Sequence, residues 1–188
     1  MGSIAYKKDE PDYEIINGQI HMMSRPSMNH GDISLNIASI FRRLLKGKTC
    51  KVHIEPDVFL DENNNLIPDV VILCDRSKRR NRGIYGAPDL IVEILSPSTA
   101  KKDIVEKKDV YGIFGVREYW IVRPELKEIT VYHAKDNALE VDNIYYFRTQ
   151  KEQEDMTDDD KKSIVSSFNV SLFADFEINL AEVFEDIE

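Results

Sequence analysis

The 188-residue sequence has few of the groups that announce a soft-metal cage or a redox centre: two cysteines, four histidines and one tryptophan. Cys50 and Cys74 lack C-x-x-C spacing, and His21, His30, His53 and His133 are scattered, so a zinc site has no support. Two cysteines in apolar, strand-like stretches read as buried thiols in a reducing compartment. No apolar run approaches the roughly 20 residues that cross a bilayer. The opening MGSIAYKKDEPDYE has no apolar stretch behind its lysines and lacks the Ser or Thr of a myristoylation site, so neither a secretory leader nor a lipid anchor is expected. A cytoplasmic protein is the expectation. Positive charge is also in deficit: 25 Lys and Arg against 34 Asp and Glu leave a net charge of −9. That excludes coating nucleic acid by bulk attraction, but not an enzyme that grips phosphates locally. No helix-turn-helix or zinc-finger reader stands out.

What is present is globular. With 42% hydrophobic and 31% charged residues, residues 1–188 are expected to form one domain with a sizeable core. In YEIINGQIHMM, Asn17-Gly18 between alternating runs predicts a two-residue hairpin turn. Ile33, Ile37, Ile40, Phe41, Leu44 and Leu45 recur at helical spacing before Gly47, which predicts a helix over 29–46. Cys50, Val52 and Ile54 alternate with polar residues until Pro56 interrupts, as in a bent or edge strand. Continuous apolar runs at 70–74 and 90–95 predict central strands covered on both faces. A second helix is expected over 100–114, closed by Gly115. Strands over 118–122 and 129–133 should pair across Pro124-Glu125, with Trp120 as a core anchor. Short strands at 144–147 and 163–168 flank the acidic EQEDMTDDDKK, read as an exposed loop, and 180–184 as a final helical turn. The order predicts an α/β (α+β) fold, a mixed central sheet with a helix on each side, preceded by a β-hairpin.

Glu93 is the anomaly: a carboxylate in the middle of the apolar run LIVEIL. Left unpaired, its burial would cost several kcal/mol, roughly, so it must be paired or hold a metal. Asp69 opens the neighbouring apolar run, and strands about 4.8 Å apart let two acids on one face share a cation. Asp89 lies four residues, or about 13 Å, from Glu93, too far to share that ion, and reads as a turn residue. Oxygen ligands favour Mg²⁺, with Mn²⁺ as a substitute, and phosphate chemistry as the task. The alternative is a structural ion pair, for instance with Arg117. Asp103, Lys107 and Tyr111 recur every four residues on one face of the helix that follows. Arg76, Lys78, Arg79, Arg80 and Arg82 form a basic run that is either a solvated loop or a set of phosphate contacts.

These blocks, PDVVILCD, APDLIVEILSPST, the D-x-x-x-K-x-x-x-Y of Asp103, Lys107 and Tyr111, and GVREYWIVRP, resemble the Uma-two family of restriction-endonuclease-like proteins in the PD-(D/E)-x-K nuclease superfamily. The similarity runs from about residue 13 to 132, with echoes near 176–184. It implies a restriction-endonuclease-like core and a metal-dependent endonuclease acting on DNA. Asp69 and Glu93 match the superfamily's acidic positions and would be catalytic and hold Mg²⁺. The lysine expected two residues after Glu93 is Leu95 here, and the resemblance suggests that Lys107 takes its place. His30 also matches a family position, and with Asp103 and Tyr111 is a supporting candidate. A homodimer fits cleavage of two strands. The alternative class is a nuclease fold kept as a non-catalytic binding or assembly module.

Overall fold

A computed structural model of the chain describes residues 13–96 and 102–187. Strands β1 (Tyr13–Ile16) and β2 (Gln19–Met22) form the expected hairpin. Asn17 and Gly18 both take positive φ, 51° and 77°, as a type I′ turn requires. Helix α1 (Met28–Leu44) starts at Ser27, whose hydroxyl accepts the His30 amide, and buries Ile33, Ile37, Ile40 and Phe41. Strand β3 (Lys51–Ile54) stops where Glu55 turns to φ 45° ahead of Pro56, and β4 (Val58–Phe59) resumes. Then come β5 (Asn65–Leu66), β6 (Val70–Leu73), a 3₁₀ turn at Arg76–Lys78, β7 (Arg79–Arg80), β8 (Gly83–Tyr85) and β9 (Leu90–Ile94).

The predicted second helix is not uniform. Its start at residues 100–101 lies outside the described residues, Lys102–Lys107 are π-helical, and α2 (Lys108–Phe114) ends at Gly115 with φ 87°. Strands β10 (Glu118–Arg123) and β11 (Glu128–Lys135) follow, then β12 (Ala138–Tyr146), which begins well before the predicted 144. The acidic stretch read as a loop instead holds two short exposed helices, α3 (Gln150–Glu154) and α4 (Asp158–Lys162), capped by Thr149 and Thr157. Thr149 and Glu152 form a capping box, a signal that sequence reading passed over. The chain closes with β13 (Ser167–Asn169), β14 (Glu177–Asn179) and α5 (Leu180–Val183).

The larger sheet runs β12-β11-β10-β9-β6-β3, with only β9 and β10 parallel, joined by the π-helical run and α2. A second sheet runs β2-β1-β5-β4-β8-β7. Alternation along β9 sends its side chains to two different cores. Leu90, Val92 and Ile94 pack with Ile37, Phe41, Trp120 and the C-terminal segment. Ile91 packs with Leu66, Ile84, Val110 and Tyr111, so Glu93, two residues on, belongs to the face covered by the second sheet and α2. At Gly112 a β-carbon would stand 3.2 Å from the backbone of Ala138 and Leu139, so the glycine lets α2 rest directly on β12.

Cys50 and Cys74 correct the reading of two thiols, for they form a disulfide. Lys51 pairs with Leu73 across antiparallel β3 and β6, so the residues just beyond each end are neighbours although 24 positions apart in sequence. The expectation of a cytoplasmic location loses the support it drew from free thiols. No helix among the described residues is long and apolar enough to cross a membrane.

Candidate active site

The C-terminal end of β9 delivers Glu93 and the entry to β6 delivers Asp69. Asp69 is pinned by fixed donors: the Ile94 amide donates to its Oδ2 at 2.6 Å, and His30 Nε2 lies 2.9 Å from its Oδ1. Asp69 is thereby held against the backbone beside Glu93. Glu93 is buried, and its Oε1 accepts from Lys107 Nζ at 3.0 Å and from the Tyr111 hydroxyl at 2.8 Å. Asp103, Lys107 and Tyr111, which a charged stripe would normally turn to solvent, are all buried here. Lys107 Nζ also lies 2.7 Å from Glu14 Oε1 and 3.3 Å from Asp103 Oδ1, so one ammonium sits among three carboxylates. Its neighbour Lys108 turns away, 5.9 Å above the Tyr132 ring.

Sequence reasoning missed Glu14 and Lys102. Glu14 is fully buried in β1 and accepts from Lys102 Nζ at 2.7 Å and from the Ile67 amide at 3.0 Å. The available signal was alternation: Glu14 shares a face with Ile16, a core residue. Arg117, the alternative partner for Glu93, is instead exposed and lies 3.6 Å from Asp89. Asp89 accepts the Cys74 amide at 2.7 Å and ties the start of β9 to the end of β6. Leu95 packs partly buried against the α2-side core, and its amide donates to the Val122 carbonyl. Lys107 occupies the space beside Glu93 that Leu95 leaves without a cation.

Electrostatics follow from this crowding. Burial pushes the Glu93 carboxyl well above its ordinary range; Lys107 opposes this, while Asp103, Asp69 and Glu14 add to it. Burial alone would lower the Lys107 ammonium, but Glu93, Asp103 and Glu14 outweigh it and hold the lysine well above its usual value, protonated. At Glu14 burial pushes upward, yet Lys107 and the hydrogen bonds from Lys102, Lys107 and Ile67 prevail and lower it. Burial drives the Tyr111 hydroxyl well up, with the charges of Glu93 and Glu14 behind it, so the phenol stays a donor. Burial would depress His30, but its hydrogen bond with Asp69 and the charges of Asp69, Glu55 and Asp103 raise it on balance.

A small cleft of about 60 Å³ opens onto this cluster and is also bordered by Arg25 and Glu55. Among the described residues, no three His, Cys, Asp or Glu side chains already surround a common ion position. The donor set nonetheless fits a hard divalent cation. Glu14, Asp69, Glu93 and Asp103 all border the cleft, with the ammonium groups of Lys102 and Lys107 among them, and carboxylate oxygen is the preferred ligand of Mg²⁺.

The site thus sits where a mixed sheet brings acids at its strand ends against a buried lysine from the helical run that follows β9. A solved structure from Anabaena variabilis ATCC 29413, described as a "putative nuclease belonging to DUF820", superposes with a TM-score of 0.71 at 19% identity, covering 93% of this chain and 90% of that one. The chain belongs to the Uma2 family, described as "Putative restriction endonuclease", whose model matches residues 3–158. It is also 30% identical to uncharacterized protein slr1290 of Synechocystis sp. (strain ATCC 27184 / PCC 6803 / Kazusa) over 136 residues, 70% of this chain and 71% of that protein.

Proposed function

We propose that the chain is a Mg²⁺-dependent endonuclease that hydrolyses phosphodiester bonds in DNA. The observation that carries this reading is the Lys107 ammonium enclosed by Glu14, Glu93 and Asp103 at 2.7 to 3.3 Å, with Asp69 fixed beside Glu93. Asp69 and Glu93 would hold Mg²⁺, or Mn²⁺ in its place. The ion supplies Lewis acidity at the phosphate and a lowered pKa for the attacking water.

The protein's own groups do the rest. Lys107, protonated by its surroundings, stabilises negative charge that develops on the phosphoryl oxygens, the task of the lysine that Leu95 replaces. Tyr111 and Lys107 fix the Glu93 carboxylate through Oε1. His30 and the Ile94 amide fix Asp69. Lys102 and the Ile67 amide hold Glu14, which anchors Lys107 from the opposite side. A second copy of the chain would supply the second site that cutting a duplex needs.

The test is incubation with supercoiled plasmid, linear duplex and single strands, each with Mg²⁺, Mn²⁺ or chelator. Cleavage that needs the ion and disappears in Glu93→Gln and Lys107→Ala is the expected result. A folded protein that cuts none of these substrates with either ion overturns the reading and leaves the non-catalytic module.

A further inference from the structure

The larger sheet ends at edge strand β3 and the second sheet ends at edge strand β7. Next to both lies an open groove of about 690 Å³, lined by Lys51, His53, Leu73, Arg76, Arg79 and Arg80 among others. The structure thereby sorts the basic run. Arg76, Arg79 and Arg80 line the groove, whereas Lys78 is committed elsewhere, its Nζ donating to the Ala87 carbonyl at 2.8 Å, and Arg82 does not border it. Lys51 and His53 of β3 join the three arginines from the opposite wall. Among the described residues none of Lys51, Arg76, Arg79 and Arg80 pairs with a carboxylate: Lys51 Nζ donates to the Lys48 carbonyl, and Arg80 lies 4.4 Å from the Tyr85 ring centre. His53 Nε2 is buried without a hydrogen-bond partner among those residues. On a chain of net charge −9, such a cluster is a local attractor for anions that the protein's own acids leave open.

Its placement tells which anion. Lys51 and His53 pair across the sheet with Leu73 and Val71, which share the face that carries Ile91 and Glu93. From Lys51 to Ile54 the strand covers about 10 Å, and the next residue, Glu55, already borders the acidic cleft. A backbone that leaves the carboxylates along β3 therefore reaches the groove within its next phosphates.

We propose that this groove between the two sheet edges binds the phosphate backbone of one DNA strand next to the scissile bond, with Lys51, Arg76, Arg79 and Arg80 gripping the phosphates. The proposal rests on the endonuclease reading for its register, but binding is measured without cleavage. The full chain in chelator is titrated with dye-labelled single-stranded oligonucleotide, and anisotropy is followed as salt is raised. In Arg79→Ala/Arg80→Ala the slope of log K against log salt should fall by about 0.7 for each phosphate that is no longer neutralised. Arg79→Glu, which leaves Arg80 on Tyr85, should weaken binding further than Arg79→Ala. Lys135→Ala, at the exposed end of β11, should change neither quantity. Unchanged affinity and slope in both arginine variants, with melting curves that show them folded, overturn the groove. Equal losses in Lys135→Ala also overturn it, because binding would then follow overall charge. A wild-type chain that binds with this slope but never cuts refutes the endonuclease and leaves backbone binding standing. Cleavage that persists with undiminished affinity in the arginine variants does the reverse.

Discussion

Glu93 and Glu118 are buried carboxylates on adjacent parallel strands, one on each face of the sheet, and they are satisfied in opposite ways. Glu118 Oε1 accepts from Trp120 Nε1 at 2.7 Å, while Oε2 accepts from the Ser171 amide at 3.0 Å and from the Ser171 hydroxyl. These neutral donors belong to its own strand and to the C-terminal segment, so the carboxylate is a joint that fastens that segment to the sheet. Glu93 accepts from described residues through Oε1 alone, and its surroundings are an ammonium and three further acids. Burial therefore does not mark a reactive carboxylate. What sets Glu93 apart is surplus like charge beside an oxygen with no partner among the described residues, an arrangement that favours a cation there.

The sharpest way to break this contrast is to remove Lys107. Without it Glu14, Glu93 and Asp103 are left without their shared counter-ion, and Lys107→Ala should lose about 3–5 kcal/mol of stability in chelator. Cleavage should fall by roughly a hundredfold or more. Mn²⁺ should raise the melting temperature of the variant more than that of the wild type, and denaturant titrations with and without the ion check this. Equal shifts would mean that the acids are not a cation site.

Glu118→Gln comes next. Its amide nitrogen would face Trp120 Nε1 or the Ser171 donors, and an unsatisfied buried pair costs about 1–3 kcal/mol. Trp120 fluorescence should change while the folded fraction keeps its metal-dependent rate. Loss of that rate would make the two acids functionally alike.

Glu93→Gln should move stability the other way. The folded carboxyl is raised above its unfolded value, so its favourable contribution is present below the unfolded range, near about 4.3, and disappears as pH rises through the folded value. Above that point the uncharged amide should gain about 0.5–2 kcal/mol in metal-free protein, while cleavage is abolished. A loss of several kcal/mol instead would place Glu93 with Glu118 as a structural joint.

The smallest effect concerns His30. Its raised value means that its pair with Asp69 stabilises fully below about pH 6.5 and fades as pH rises through the folded value. His30→Ala should flatten that stretch of the stability profile in chelator; an unaltered profile would refute the pairing.

What sequence could read here depended on where the controlling interaction lies. The Asn17-Gly18 turn, the α1 face from Ile33 to Leu45 and the apolar runs of β6 and β9 are set by neighbours a few residues away, so pattern alone placed them. Strands β4, β5, β7 and β8 are two or three residues long and draw their order from sheet partners, which no local pattern reveals. The same holds for Glu14, whose partner Lys102 lies 88 residues on, and for the Cys50–Cys74 bond, which cross-strand register creates. Glu93 was legible because a charge inside an apolar run breaks its own pattern; Glu14, in the short and half-exposed YEII, breaks none. The first half of β12 does alternate, with Leu139 and Val141 between Glu140 and Asp142, a strand signal that was passed over, and its pairing with β11 completes the strand.

Gly112 carries a consequence for precision. The helix bearing Tyr111 is held off β12 by nothing but a hydrogen atom at this position, so the glycine works as the thinnest available shim under α2. A methyl group, 3.2 Å from the Ala138 and Leu139 backbone, would have to displace that backbone or the helix by a few tenths of an ångström. Tyr111, one residue away, and Lys107, just over a turn away, would be carried along. Hydrogen bonds of 2.8 and 3.0 Å to Glu93 leave little slack for such a lift, so the depth at which the ammonium meets its three acids is gauged from the outer side of the helix.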